Sequence, residues 1–579
     1  MAVILLLLVL FTSALGASSL HRGQRAADDG FLMVNTSYGT LRGKVDSTPS
    51  VPVAKFLGVP FAKPPTGPLR FKAPVKSDSW DGVRDALTFG DECLQGDNPN
   101  FPFRGGNTRP PRSEDCLFLN VYSPTQRNGQ ALLPVMVWIH GGAYLMGSGS
   151  AYDVTTLATK GVLVVTINYR LNIFGFLSTG DDTMPGNYGM MDQIAALKWV
   201  RDNIASFGGD PNLVTIFGES AGSASVSLLT LSPLAKGLFQ RAVMESGVSL
   251  SPWAVEFPGN RVSSRMAARL ASQAVQCDDL NNSTALLSCL QQADAVKLLN
   301  ASTTLANVLQ VGLVLWNPRV ETTFGFLPES PSTLLSRGQI NHVDTLRGFN
   351  SDEFGIFTPI FSRKPPVQIT AEVAKQVIGA QVAQFNQLNQ GKLLGLLVST
   401  YLADTSSSEV LQREALDAAD NTTFVGSIMI EMNYVARSVS DKKHYLYQFN
   451  HRASFSHAPT WMSAIHGDEM FFVFDVQQKK FTDLGNGPPD ANDILVSQQM
   501  MEMWTNFAKT GNPTSTVPTG GVTWSQYISP TAPHYLLINS VSELKLWSQN
   551  NVVDVYRKVL ETLEGSSPAP ADPIVPIFG

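Results

Sequence analysis

The chain has 579 residues, 44% of them hydrophobic and 16% charged, with a formal net charge of −6. That much apolar material supports a large core and excludes disorder as the main state. The acidic balance, without any polybasic run, excludes nucleic acid as an expected partner.

The N-terminus predicts the compartment. Val3 to Phe11 is an unbroken apolar run, too short for a membrane span of ~20 residues, and Ala14-Leu15-Gly16 follows as a small-x-small cleavage signal. Residues 1–16 therefore read as a secretory signal peptide cleaved after Gly16, and 17–30 as a polar N-terminal segment. No later stretch reaches membrane length. At the other end, 564–579 is a Pro-rich tail with a short apolar finish, too short for a GPI signal and not an ER-retention tetrapeptide. The mature protein is expected to be secreted and extracellular. Its four cysteines, Cys93, Cys116, Cys277 and Cys289, form an even set that suggests two disulfides. Three connectivities exist; the local pairs Cys93–Cys116 and Cys277–Cys289 are favoured because they staple two loops without linking distant regions. Sequons stand at Asn35, Asn281, Asn282, Asn300 and Asn421, and adjacent Asn281 and Asn282 are not expected both to carry glycan. No metal is expected, since CxxC spacing and clustered histidines are both missing, and no cofactor is called for.

Between the two ends, residues 31–563 read as one α/β domain. Short apolar runs bounded by turns predict buried parallel strands at Leu133–Ile139, Val162–Asn168, Leu213–Phe217 and Arg241–Glu245. Asp344–Phe349 and His444–Phe449 read as later strands, Gly189–Phe207 and Ile494–Lys509 as helices. This alternation implies a parallel sheet covered on both faces, with ligands bound along the edge where the strands end. Long insertions fall near 255–340 and 355–440.

Two of these strands run into chemistry. His140-Gly141-Gly142-Ala143-Tyr144 follows the first, a small-residue loop whose backbone amides can converge on one point. Gly218-Glu219-Ser220-Ala221-Gly222 follows the third, with a helical pattern from Ala221 onward. GxSxG alone is a weak signal, but strand, sharp turn and helix are the context that turns such a serine into a nucleophile. The two glycines let strand and helix approach closely. The amides of Gly142, Ala143 and Ala221 are the candidate oxyanion hole.

With these motifs the chain resembles the type B carboxylesterase/cholinesterase family of α/β-hydrolases, from about residue 32 to 560. Phe56–Pro65 resembles its N-terminal signature and Glu114–Asn120 its EDCLxLN signature. Asn168-Tyr169-Arg170, Gly186–Gly189 and Asp192-Gln193 resemble the run before the serine, and Asn506–Pro513 the end of the C-terminal helix. The resemblance implies the α/β-hydrolase fold, a large central, mostly parallel sheet flanked by helices with long insertions. It also nominates partners for Ser220. His466, in His466-Gly467-Asp468-Glu469, matches the family's histidine segment. Glu353, in Asn350-Ser351-Asp352-Glu353, matches its acid, with Asp352 the competing candidate. His140 is expected to shape the oxyanion loop and His451 to pack structurally. Arg70 with Glu114, and Arg170 with Asp192, resemble structural ion pairs of the family.

The implied function is a secreted serine carboxylic-ester hydrolase acting on a small-molecule ester through an acyl-enzyme. The alternatives are a cholinesterase and a non-catalytic adhesion protein on the same fold. Silent members lose the serine, acid or histidine, and all three stand here. The cholinesterase reading needs a cation site, yet the stretch from Leu94 to Asp115 contains no Trp, and Ile356 falls where cholinesterases place an aromatic. Phe101, Phe103 and Trp316 remain as aromatics able to rebuild such a site. Gly312-Leu313-Val314, near the acyl pocket, argues for a roomy one.

Overall fold

Leu133–Ile139 alternates between two buried faces. Val135, Val137 and Ile139 join one apolar cluster, while Met136 and Trp138 join a second on the opposite side. A strand buried on both faces is the signature of a sheet layered between helices. The computed structural model describes residues 30–565, apart from 97–108, 127–130, 259, 310, 312–314, 358–367, 386–388, 404–406, 479–486, 515–520, 529–530 and 532. Outside the described residues lie the signal-peptide segment, the Pro-rich tail from 566 onward, Phe101, Phe103 and Gly312–Val314.

Fifteen strands are assigned among the described residues: β1 (Phe31–Asn35), β2 (Thr40–Asp46), β3 (Val53–Pro60), β4 (Val83–Asp85), β5 (Glu92–Cys93), β6 (Arg112–Ser113), β7 (Phe118–Pro124), β8 (Leu133–Ile139), β9 (Leu163–Ile167), β10 (Gly209–Glu219), β11 (Arg241–Glu245), β12 (Asp344–Asn350), β13 (His444–Phe449), β14 (His534–Ile538) and β15 (Glu543–Leu546). One large sheet runs β1-β2-β3-β7-β9-β8-β10-β11-β12-β13-β14-β15, with β4 beside β2. From β9 through β14 neighbouring strands are parallel; β1, β2, β3 and β7 at one side, and β15 at the other, are antiparallel. The Tyr188–Asn203 and Ala221–Leu231 helices bury Ile194, Leu197, Val226 and Leu229 on the first face. The Ala491–Thr510 helix buries Val496, Met500, Trp504 and Phe507 on the second.

The expected strands and helices are present, with shifted ends. The run expected as one helix from Gly189 to Phe207 is α-helical from Tyr188 to Asn203 and tightens to a 3₁₀ turn over Ile204–Phe207, closed by Gly208 at φ 90°. The insertions fold mainly as helices, among them Ser264–Ala274, Ser283–Gln292 and Ala295–Leu309 in the first, and Ala371–Ala383, Gln390–Tyr401, Ser408–Asp420 and Gly426–Ser438 in the second. Both local disulfides are formed, Cys93–Cys116 and Cys277–Cys289.

Candidate active site

Four strand ends converge on one edge of the sheet. The carboxyl end of β8 delivers the His140–Tyr144 loop, that of β10 delivers Ser220, that of β12 delivers Glu353, and β13 leads into the loop carrying His466. Ser220 sits at φ 56° and ψ −123° between β10 and the Ala221–Leu231 helix. That left-handed backbone is costly for a residue with a Cβ, and such strain persists only where the surroundings over-determine it. The surroundings are tight: a Cβ on Gly218 would lie 2.6 Å, and one on Gly222 2.0 Å, from the Ile139 carbonyl oxygen. The Ser220 amide donates to the Glu245 carbonyl at 2.8 Å, tying the turn to β11.

The loop after β8 presses against this turn. A Cβ on Gly141 would stand 3.1 Å from Ser220 Cβ. Gly142, Ala143 and Tyr144 take positive φ in succession, at 104°, 57° and 59°. His140 is fully buried and stacks on Tyr169 at 4.5 Å, and its Nδ1 lies 2.9 Å from the Gly141 carbonyl oxygen. Burial pulls its pKa down to about 4, partly offset by that backbone contact, so the ring is neutral and braces the loop. His451 also packs structurally, buried with Nε2 2.8 Å from Asp493 Oδ1.

Glu353 and His466 meet across the sheet edge. Glu353 is fully buried; its Oε2 lies 2.7 Å from His466 Nδ1, and its Oε1 accepts the Asn350 amide at 2.7 Å. His466 Nε2 faces Glu219 Oε1 at 3.1 Å, so the imidazole lies between two carboxylates. Phe424 and Phe357 lie against the ring, at centroid distances of 4.7 and 5.8 Å. Asp352, the competing acid, is turned away: its two carboxylate oxygens bind Arg413 and the Ser463 amide.

Two further buried carboxyls were not singled out from sequence. Glu245 pairs in register with Glu219 on the neighbouring strand, and its Oε1 accepts Trp504 Nε1 at 3.0 Å. Glu469 accepts from Asn350 Nδ2 and stands 3.5 Å from Ser246 Oγ. The only sequence trace is an acidic residue at the edge of an apolar run, closing one at Glu245 and opening one at Glu469. Burial pushes Glu219 up to about 7, with the His466 charge opposing and Glu353 adding to the shift. Burial likewise raises Glu245 to about 8 and Glu469 well above the carboxylate range. For His466 burial acts downward, but Glu219 and then the hydrogen bond and charge of Glu353 prevail and hold it above its ordinary value.

A neutral imidazole is needed for a base, so activity should fall as pH drops through a value above ~6.5, the ordinary histidine figure. Glu219→Gln withdraws a charge that favours the imidazolium. Its acid limb in kcat/KM is expected at lower pH than the parent's. Paired pH–rate profiles check this, and an unmoved limb would disconnect Glu219 from the base.

The expected ion pairs are in place: Arg70 grips Glu114 through two bonds of 2.6 Å, and Arg170 grips Asp192 through two of 2.7 Å. Of the sequons, Asn35, Asn281, Asn282 and Asn300 are exposed. Asn421 differs from them: it is 9% exposed, within a π-helical turn over Asn421–Val425. Trp316 is corrected. It is 1% exposed and its Nε1 donates to Ser302 Oγ at 2.7 Å, so it offers no face to a ligand. Among the described residues, no helix is long and apolar enough to cross a membrane.

A family model described as the carboxylesterase family matches residues 31–555. The chain is 39% identical to a medium-chain fatty acyl-CoA hydrolase precursor of Anas platyrhynchos over 512 residues, 85% of this chain and 86% of that protein. It is 36% identical to carboxylesterase 4A of Bos taurus over 525 residues, covering 88% and 90% of the two. Neuroligin-2 of Mus musculus is 34% identical over 530 residues, 85% of this chain and 62% of that protein.

Proposed function

The chain belongs to the carboxylesterase family and is a carboxylic-ester hydrolase; from that premise we propose that it works through an acyl-enzyme on Ser220, with His466 as base and Glu353 as orienting acid. The observation that carries this reading is the meeting of Glu353 Oε2 and His466 Nδ1 at 2.7 Å, with Nε2 facing Glu219, the residue before a serine held in a strained strand-to-helix turn.

Glu353 keeps the imidazole in the tautomer whose Nε2 is free to accept a proton, and stabilises the imidazolium without taking its proton. As His466 swings from Glu219 toward Ser220, Nε2 takes the hydroxyl proton and Oγ attacks the ester carbonyl. The oxyanion is received by the amides of Gly142, Ala143 and Ala221, donors of a kind worth roughly 3–4 kcal/mol each when removed. The imidazolium then protonates the leaving alcohol. Water, activated by the same base, releases the acid.

The remaining readings follow from the same chain. Residues 1–16 act as a signal peptide, the catalytic domain spans 31–563 between the polar segment and the Pro-rich tail, and the mature protein is secreted. Two disulfides and the exposed sequons at Asn35, Asn281, Asn282 and Asn300 suit that route. The adhesion alternative, which the neuroligin-2 likeness keeps in view, has no need of an intact Ser220, Glu353 and His466.

The substrate class is a neutral ester of small to medium acyl length. With no Trp from Leu94 to Asp115, Ile356 in the aromatic's place and Trp316 buried, a quaternary ammonium loses two contacts. Each desolvated cation–π contact is worth ~2 kcal/mol, roughly thirtyfold in binding. Acetylcholine is therefore expected to fall short of a neutral ester of equal acyl length by roughly one to three decades in kcat/KM. A panel of esters of graded acyl length, with a choline ester included, tests the reading. A tenfold preference for acetylcholine would overturn the substrate class, and hydrolysis of none would overturn the enzyme.

A further inference from the structure

The two loops that carry Glu353 and His466 share a tie that lies outside the site itself. Asp352 precedes the acid and is 2% exposed. Its amide donates to the Ala464 carbonyl at 2.9 Å, and its Oδ2 accepts the Ser463 amide at 2.6 Å, so its backbone and side chain both bind the His466 loop. On the other side of Glu353, the Phe354 amide donates to Asp420 Oδ1 at 2.6 Å, and Asp420 is 4% exposed. Residues 352 and 354 are thus held by, or through, two buried carboxylates.

Arg413 is the cation common to both. It projects from the Ser408–Asp420 helix of the second insertion. Its Nη1 donates to Asp352 Oδ1, its Nε donates to Asp417 Oδ1 at 2.7 Å, and its Nη2 stands 3.6 Å from Asp420 Oδ2. The guanidinium also lies over the Trp461 ring, 5.8 Å from its centroid, at the start of the His466 loop. The oxygens that Arg413 leaves free on Asp352 and Asp420 are spent on the amides of Ser463 and Phe354, in the two loops that bear the base and the acid.

We propose that Arg413 is a positioning residue: its guanidinium fork, spread across Asp352 and Asp420, holds the Glu353 and His466 loops in the register that lets acid and base meet. The inference rests on the reading of Glu353 and His466 as acid and base. A planar fork spans several carboxylates at once, and a single ammonium does not. Withdrawing the fork leaves the buried Asp352 carboxylate without its counter-charge and Asp420 without its cationic neighbour, and the loops they tether relax. Displacement of catalytic groups by about an ångström costs on the order of 10²-fold.

The test compares Arg413→Lys and Arg413→Ala with the parent protein on a neutral ester. Active sites are counted by stoichiometric phosphonate labelling, and the labelled residue is mapped. For Arg413→Lys, kcat per labelled site is expected to fall roughly 10- to 100-fold with KM within about twofold. Its acid limb should move to lower pH, because the looser Glu353 contact no longer favours the imidazolium to the same degree. Arg413→Ala should lose at least as much; should it fail to fold, the lysine variant, which keeps the charge, decides. A folded lysine variant with kcat per site within twofold of the parent and an unmoved limb, its melting temperature alone lowered, would make Arg413 a structural residue and overturn the proposal. Labelling of the parent anywhere but Ser220 would instead overturn the triad reading on which it stands.

Discussion

Ser220→Ala is expected to remove ester hydrolysis, with kcat falling by roughly 10⁶-fold, the scale at which serine hydrolases lose their nucleophile. The fold should not notice. Ser220 reaches the rest of the chain through its backbone, as donor to the Glu245 carbonyl and acceptor from the Ala224 amide at 2.9 Å, and alanine keeps both bonds. Alanine also tolerates φ 56° no worse than serine does. Melting temperature and ester binding should therefore stay close to the parent's while turnover disappears. His466→Ala should lose a comparable amount, and the double variant little more, because members of one catalytic unit do not contribute additively. Initial rates on a chromogenic ester, with thermal melts of each variant, check this. A serine-less protein within about a hundredfold of the parent would place the nucleophile elsewhere.

What the sequence made legible follows burial. β8, β9, β10 and β11 are apolar on both faces, and such runs announce themselves. At the sheet's sides, β2 and β15 went unread for the opposite reason. β2 is Thr-Leu-Arg-Gly-Lys-Val-Asp, mostly partly buried and broken by a glycine, and β15 is Glu-Leu-Lys-Leu with no buried residue. Their pairing comes from neighbours far along the chain, which local pattern does not carry.

The site divides in the same way. Ser220 and the Gly141-Gly142 loop were legible because strained turns need particular residues. His466 and Glu353 needed the family's motifs, since their contact joins residues 113 apart. The facing of Nε2 toward Glu219 is a matter of side-chain placement that no spacing encodes. In sequence Arg413 has the spacing of an ordinary i,i+4 helix pair with Asp417, and its grip on Asp352, 61 residues away, belongs to the tertiary structure alone. The Asn421 sequon divides likewise: the tripeptide is local, and its burial is not.

Glu353→Gln should lower kcat by about 10⁴-fold, the loss seen when a triad carboxylate becomes an amide. The hydrogen-bond inventory explains why so small a change is so costly. Glu353 uses both oxygens as acceptors, Oε2 toward His466 Nδ1 and Oε1 from the Asn350 amide. Glutamine has one acceptor and one donor group. If its amide nitrogen faces His466, Nδ1 must accept, the ring proton moves to Nε2, and the base no longer takes the serine proton. If the side chain flips, the amide nitrogen meets the Asn350 N–H, and two buried donors oppose each other. The first arrangement loses the working tautomer, and the second keeps it only against that donor–donor opposition. KM should change little, since Glu353 is fully buried away from the ester. The matching change at the neighbouring acid, Asp352→Asn, keeps an acceptor for the Ser463 amide and leaves the imidazole's partner untouched. Its kcat should therefore exceed that of Glu353→Gln by about two orders of magnitude, the gap between removing a triad member and displacing one by about an ångström. Steady-state kinetics of the two variants side by side decide the assignment. Equal losses, or a Glu353→Gln enzyme within tenfold of the parent, would return the acid's role to Asp352 or to Glu219, the other carboxylate that reaches the same ring.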